Sequence, residues 1–567
     1  MSKTIAIGLQ DFRKIREQNT FYVDKTKLIK EWWESRDDVT LITRPRRFGK
    51  TLTMSMIEQF FSIKYSECSQ IFEGLYIWSD KEFQKLQGTY PVISLTFSDV
   101  KETSYEQMRK KICEIIVDLY NENDFLLNGD ILNDREKEYF RKVSAEMEDY
   151  EITIALRRLS GYLFKYYGKK TIILLDEYDT PMQESFVGGY WDEFTAFTRS
   201  LFNATFKNNP YLERAIMTGI TRISKESIFS DLNNLEIVTT TSSKYDEMFG
   251  FTEAEVDAAL KEYDLWDRKA EVKRWYDGFT FGEKKEIYNP WSIINFLDKK
   301  KVGPYWTNTS SNLLVGKVIQ EGTKQVKETF ETLLLGGSIS TAIDEQIIYN
   351  QLNLDEGAIW SLLLASGYLK VKGQSIHEGD YGQWKHVYEL EITNYEVKVM
   401  FHDMVRDWFA SSASNYNEFI RALLQDDLKA MNIYMNRISV STFSYFDTGR
   451  KPSESEPERF YHGFVLGLIV ELANRYELTS NRESGFGRYD VMLVPKNHED
   501  DAVILEFKVQ DMDDERELSD TVQAAIRQIN KKNYAASLIQ KGIPDNKIRK
   551  YGFAFQGKKV LIGSESK

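Results

Sequence analysis

One stretch limits the fold more than any other. VTLIT (39–43) reads as a short buried strand, RPRRFGKT follows it, and LTMSMIEQFF continues with apolar residues at helical spacing. Strand, loop, helix is the order that a nucleotide-phosphate site needs. Gly49, Lys50 and Thr51 fill the last three positions of the pattern GxxxxGK(S/T), while Arg44 stands where its first glycine belongs. Backbone N–H groups of residues 47–51, at a helix N-terminus, would point at phosphate oxygens. Lys50 would reach the β- and γ-phosphates, and the Thr51 hydroxyl would hold Mg²⁺. Arg46, Arg47 and Phe48 complete the expected nucleotide-binding set, the two arginines adding positive charge.

A second element decides whether the loop is more than a basic turn. IILLDE (172–177) is an apolar strand ending in two acids, the Walker-B pattern. Asp176 would hold Mg²⁺ through water, and Glu177 would orient or deprotonate the attacking water. The next strand, RAIMTGI (214–220), and its exit TRIS (221–224) offer Thr218, Thr221 and Arg222 as neighbours of a γ-phosphate or as an ordinary strand end. TYPVISLTF (89–97) and LEIVTTT (235–241) add strands, and strands alternating with helical patterns predict a parallel α/β sheet. From FTEAEVDAALKEY to about residue 365 the pattern is mostly helical. GAIWSLLLASGYLKVKG and HVYELEI then suggest a winged-helix-like unit.

The C-terminal part carries a different chemistry. Asp490 sits in RYDVMLVP, and Glu506 and Lys508 sit in VILEFKV, both strands by composition. Residues two apart on a strand share a face, so Glu506 and Lys508 point the same way and an adjacent strand can bring Asp490 beside them. Two carboxylates and a lysine suit a hard divalent cation acting on a phosphodiester, with Asp490 and Glu506 as ligands and Lys508 stabilising developing charge. The spacing D-x15-ExK is the PD-(D/E)XK pattern with Tyr489 in place of Pro. Gln523 and Gln528, on the predicted helix 519–540, face either this site or solvent. Glu458 is either a further ligand or a favourable charge at a helix start.

The 567 residues allow about four structural units. A working division is a nucleotide-binding domain at 1–245, a mostly helical region at 246–448 and a nuclease-like domain at 449–567, with GRKPSESEPER (449–459) as the linker. Lys+Arg 74 against Asp+Glu 87 leaves a net charge of −13, which excludes a protein that coats nucleic acid through bulk charge. Any DNA contact must therefore be local and salt-sensitive. Cys68 and Cys113 form no CxxC pair and the five histidines no HExxH, so disulfide frameworks and thiolate zinc sites are not expected. The first residues lack the apolar core of a signal peptide and no run of 18 apolar residues occurs, so the expected place is the cytoplasm without membrane contact.

Taken together, FYVDKTKLI, LITRPRRFGKTL, IILLDEYDTP, TGITRISKESIFSDLNNL, WYDGFTFG, YNPWSI, YWTNTS, YHGFVLGL, SNRESGFGRYDVML, VILEFKV and YGFAFQGKKV span most of the chain in order. With them the chain resembles a prokaryotic family that joins an N-terminal AAA-ATPase-like domain to a C-terminal PD-(D/E)XK nuclease-superfamily domain. That family's loop reads RPRRFGK(S/T), so the resemblance makes Arg44 a family trait. It implies ATP at Lys50 and Thr51, Asp176 and Glu177 as the Walker-B pair, and Asp490, Glu506 and Lys508 as the nuclease constellation. It also marks Asp24, Lys25, Trp275, Tyr276, Asp277, Asn289 and Pro290 as signature residues without assigning them a role. The domain pairing implies an ATP-regulated, Mg²⁺-dependent nuclease in DNA processing or defence, with nucleic acid as partner and DNA the first expectation. Sites of this kind often borrow a neighbour's arginine, which leaves a homo-oligomer open, but the sequence assigns no such arginine and fixes no oligomeric state. A signalling ATPase whose C-terminal domain binds nucleic acid or protein without cutting it stays open, as does an interaction protein with degenerate sites.

Overall fold

Apolar-rich runs such as VTLIT and TIILLD, with no period-two alternation of charge, suit strands covered on both faces, the setting of a parallel sheet. A computed structural model describes residues 3–207, 209–222, 228–229, 232–309, 313–320, 323–343, 356–378, 384–408, 416–442, 472, 475–480, 483–484, 487–488, 490–497, 499–511, 515–556 and 559–565. The linker 449–459, Glu458, Tyr489 and the helix expected after the linker lie outside the described residues. The chain divides into two compact units, residues 1–318 with 336–398, and residues 319–335 with 399–567.

The first unit is built on five parallel strands: β1 (Val39–Thr43), β2 (Val92–Thr96), β3 (Thr171–Asp176), β4 (Leu212–Gly219) and β5 (Leu235–Val238). They lie in the order β2-β3-β4-β1-β5. Every residue of β1 and β3 is buried. The helix Lys50–Phe61 packs on β2 and β3, and the helix Ala155–Tyr167 packs on β3. Because β4 lies between β1 and β3, the loop after β1 and the acidic end of β3 are separated by one strand. Ile42 pairs with Thr218 and Leu175 with Met217, which sets Thr218 between the two.

The stretch read as mostly helical holds a second, antiparallel sheet. β6 (Phe251–Thr252), β7 (Asp277–Phe281) and β8 (Lys284–Tyr288) lie in the order β6-β8-β7. Between β7 and β8 Gly282 turns the chain with a φ of +55°, where a Cβ would meet the Ser243 backbone at 2.5 Å. Further on, β9 (Ile339–Ala342), β10 (Leu369–Glu378) and β11 (Trp384–Ile392) form a sheet ordered β10-β11-β9. The buried helix Glu356–Ala365 packs against β10, giving the helix-then-hairpin pattern read from the sequence.

In the second unit, β12 (Tyr476–Ser480), β15 (Val491–Pro495), β16 (Ala502–Val509), β17 (Ile548–Gln556) and β18 (Lys559–Ser564) form one sheet in that order. The short strands β13 (Glu483–Ser484) and β14 (Gly487–Arg488) pair with each other. Only β16 and β17 are parallel, and the helix Leu518–Lys531 is their crossover. Period-two alternation splits the apolar residues between two faces. Leu505, Phe507, Phe553 and Phe555 pack with the helices Tyr416–Leu424 and Leu428–Thr442. Ala502, Ile504 and Ala554 pack with Val522, Ile526 and Ile529 of the crossover helix. The outer edge of β18 is closed by two side-chain amides one helical turn apart. Asn432 exchanges two hydrogen bonds with the Ile562 backbone and Asn436 two with that of Val560. These amides satisfy backbone groups that would otherwise template another strand.

Gly552 and Gly563 face each other across β17 and β18. A Cβ at Gly552 would meet the Val522 carbonyl at 2.8 Å and Ala525 Cβ at 3.0 Å; one at Gly563 would meet Val522 Cγ1 at 2.6 Å. The pair lets the crossover helix lie directly on the sheet. Gly552→Val is expected to lift that helix and to cost about 1–3 kcal/mol by overpacking. Urea denaturation of the variant checks it, and an unchanged midpoint would contradict the close approach.

Candidate functional site

The loop between β1 and its helix keeps its shape through buried side chains. Lys50, buried at the first helical position, donates to the carbonyls of Arg44 and Pro45, both at 2.9 Å. Burial lowers its pKa, opposed by the charges of Glu177, Asp176 and Asp179. Arg47 has a φ of 64° and Gly49 one of 83°. The left-handed conformation costs a side-chain-bearing residue roughly 1 kcal/mol or more, so Arg47 must be held there by its surroundings. Among the described residues, the N–H groups of Arg46, Arg47, Phe48 and Gly49 donate to no protein acceptor. Successive free N–H groups at a helix start form an anion-binding concavity.

The Thr51 hydroxyl donates to Asp176 Oδ2 at 2.7 Å, and the Thr218 hydroxyl donates to Asp176 Oδ1. Burial raises the Asp176 pKa, and both hydroxyl hydrogen bonds oppose the shift. Glu177 follows at a φ of 53°, its N–H donating to Thr218 Oγ1 at 3.3 Å and its carboxylate accepting from Thr180 at 3.2 Å. Lys50, Thr51, Asp176, Glu177 and Thr218 thus converge at the C-terminal edge of the parallel sheet, the edge where open α/β sheets bind ligands.

Not every residue singled out from the sequence faces this edge. Thr221 turns inward, where its N–H and hydroxyl both donate to Asp179 Oδ2, at 2.8 and 2.9 Å. Asp179 also accepts from the Ile220 N–H at 2.9 Å and so fixes the chain leaving β4. The sequence reading passed over Asp179, although DEYD places it three residues after Asp176. Arg222 follows half-buried. Phe48 offers the loop only its backbone, because its buried ring packs edge-on against Phe279 and Phe281. Arg47 is exposed and its guanidinium lies 4.5 Å from the Trp291 ring centre.

Arg44 does not face the loop interior at all. Its guanidinium donates to the carbonyls of Thr43 at 2.9 Å and Thr239 at 2.7 Å, with longer contacts to Val238, Lys244 and Tyr245. Phe281 lies 4.6 Å and Phe249 5.6 Å from it. Burial pushes its pKa down to about 9, which leaves it charged at neutral pH.

The signature segments acquire positions. Asn289 caps the helix Pro290–Lys299 and reaches the Arg46 carbonyl at 3.4 Å; the Trp306 indole N–H reaches the same carbonyl at 3.0 Å. Lys25 donates to both Glu255 oxygens at 2.8 Å, and Asp24 accepts from Thr26 and from the Tyr76 N–H. The Tyr276 hydroxyl and the Gly303 backbone exchange two hydrogen bonds. An apolar cavity of about 90 Å³ opens beside Gly49, walled by Leu9, Phe21, Val23, Leu52, Phe251 and Ile294.

In the second unit, extending the β15–β16 register by one pair sets Asp490 opposite Glu506. Asp490 Oδ2 accepts the Phe507 N–H at 2.8 Å. Glu506, 2% exposed, accepts from Gln528 Nε2, which also donates to the buried Tyr534 hydroxyl at 3.3 Å. Lys508, half-buried, shares the Glu506 face. Gln523 instead lies exposed on the crossover helix. The predicted single helix 519–540 ends at Lys531, where Asn533 with a φ of 53° breaks it before Ala536–Gln540. Among the described residues no three His, Cys, Asp or Glu converge as a metal site. Two carboxylates suffice for Mg²⁺, which keeps several waters and takes further oxygens from a phosphate.

The five parallel strands with a phosphate-type loop, and the mixed sheet with paired acids, define two known classes of domain. Residues 6–229 match the family model described as a predicted AAA-ATPase, and residues 456–565 match that of the PD-(D/E)XK nuclease superfamily. The chain therefore carries an AAA-ATPase-like domain and a C-terminal PD-(D/E)XK nuclease-superfamily domain. It is 26% identical over 556 residues to the "Uncharacterized protein in vnfD 5'region" of Azotobacter chroococcum mcd 1, covering 96% of this chain and 95% of that protein. No described helix is long and apolar enough to cross a membrane.

Proposed function

We propose that this protein is an ATPase coupled to a Mg²⁺-dependent nuclease acting on nucleic acid, with DNA the first substrate to test. The observation that carries the reading is the convergence of Lys50, Thr51, Asp176 and Thr218 in a chain that also sets Asp490 opposite Glu506.

The loop's free N–H groups and Lys50 bind the phosphates. Thr51 and Asp176, as hard oxygen donors, would hold one Mg²⁺, and Asp490 and Glu506 another; when bound, the ion neutralises phosphate charge. Glu177 orients the attacking water and takes its proton, while Thr218 keeps Asp176 aligned. In the second unit Lys508 stabilises charge developing on the phosphodiester, and Gln528 fixes the Glu506 carboxylate. A role in DNA processing or defence, in the cytoplasm and through a homo-oligomer, fits this pairing of activities.

ATP hydrolysis by wild type and Lys50→Ala, with and without plasmid DNA, is the test. Wild-type turnover is expected to rise with DNA, and Lys50→Ala to lose on the order of 10²–10³-fold in kcat. Hydrolysis unchanged in Lys50→Ala would refute the assignment of this loop. Hydrolysis indifferent to DNA would favour a signalling ATPase.

A further inference from the structure

A phosphate-binding loop must turn its N–H groups inward and its carbonyls outward, and those carbonyls then need donors of their own. Lys50 serves the carbonyls of Arg44 and Pro45. The next carbonyl, that of Arg46, is served from elsewhere in the unit, by the Trp306 indole N–H at 3.0 Å and the Asn289 amide at 3.4 Å. This carbonyl shares its peptide plane with the Arg47 N–H, and Arg47 is the non-glycine residue held at a φ of 64°. Rotating that plane would relieve Arg47 and carry its N–H away from the loop interior. Two donors on the Arg46 carbonyl oppose the rotation.

Trp306 is itself fixed by a buried carboxylate. Its backbone N–H donates to Glu396 Oε1 at 2.6 Å, and the Thr307 N–H donates to the same oxygen at 3.3 Å. The other oxygen of Glu396 accepts from the Ser292 hydroxyl at 2.8 Å. Ser292 belongs to the helix that Asn289 caps, so one fully buried carboxylate ties together both elements that reach the Arg46 carbonyl. The Trp306 ring, 3% exposed, lies edge-on to Phe279 at 5.3 Å. Phe279 also packs on Phe48.

We propose that Trp306 and Glu396 are positioning residues that lock the Arg46–Arg47 peptide with its N–H toward the nucleotide phosphates, and so set affinity for nucleoside di- and triphosphates. The proposal rests on the nucleotide reading of the loop. Neither residue touches the nucleotide; both act through the Arg46 carbonyl.

Calorimetry with ATP, ADP and AMP on the 567-residue chain tests it, because AMP lacks the β- and γ-phosphates that the loop grips. Trp306→Phe keeps an aromatic ring against Phe279 and removes the indole donor together with part of the buried ring. It is expected to stay folded with a modestly lower melting temperature and to bind ADP and ATP roughly tenfold more weakly, with AMP within about twofold of wild type. Glu396→Ala should behave likewise, and Glu396→Gln, which keeps a carbonyl oxygen for the two backbone donors, should recover most of the loss. If Glu396→Ala does not fold, Trp306→Phe decides alone. Unchanged ADP binding in Trp306→Phe, or equal losses for AMP and ADP, overturns the positioning role. Wild type that binds none of the three overturns the nucleotide reading itself, a separate failure.

Discussion

Replacing Arg44 by glycine, the residue that the general phosphate-loop pattern asks for, is expected to destabilise the first unit by about 3–5 kcal/mol. The backbone at position 44 has no positive φ, so glycine brings no conformational relief there. What it removes is a fully buried guanidinium that donates to the carbonyls of Thr43 and Thr239, with weaker contacts to three more. Buried acceptors stripped of a donor cost roughly 1–3 kcal/mol each. The space left beside Phe281 and Phe249 adds a cavity term. Arg44→Lys keeps the charge but loses the planar fork, so it should recover only part of the loss. Chemical denaturation followed by circular dichroism reads the effect. A glycine variant as stable as wild type would show that Arg44 is a passenger in this loop.

Glu506→Ala is expected to lower phosphodiester cleavage by on the order of 10³-fold while leaving ATP hydrolysis in place, and Lys508→Ala by roughly 10²–10³-fold. The two should differ in their response to metal. Glu506 is nearly enclosed and faces Asp490 across adjacent strands, so its loss should shift the Mg²⁺ concentration needed for any residual cleavage. Lys508 carries the opposite charge, so its loss should lower the rate with little change in that requirement. Nicking of supercoiled plasmid over a Mg²⁺ series separates the cases. Full cleavage by Glu506→Ala would remove the constellation from the chemistry, and no cleavage by wild type would favour a C-terminal domain that binds without cutting.

The sequence alone determined the features that depend on neighbours along the chain. β1, its loop and its helix are contiguous, and so are the apolar run and acidic end of β3. The period of two along β16 sets Glu506 and Lys508 on one face without reference to anything distant. Strand order is not local, and it decided that β4 intervenes between β1 and β3 and that Thr218 bonds Asp176 while Thr221 turns to Asp179. Contacts across long separations likewise placed Asn289 and Trp306 on the Arg46 carbonyl, 243 and 260 residues away along the chain. The same is true of the amides of Asn432 and Asn436 on the edge of β18. The hairpin of β7 and β8 escaped because a charged run has no period strong enough to tell a two-stranded ribbon from a helix. Periodicity reports which side of an element is buried, but not which element buries it. Arg44 shows the difference: its presence in the loop was legible in the sequence, and its turn away from the phosphates was settled by the carbonyls of residues 239–245 folding back over it.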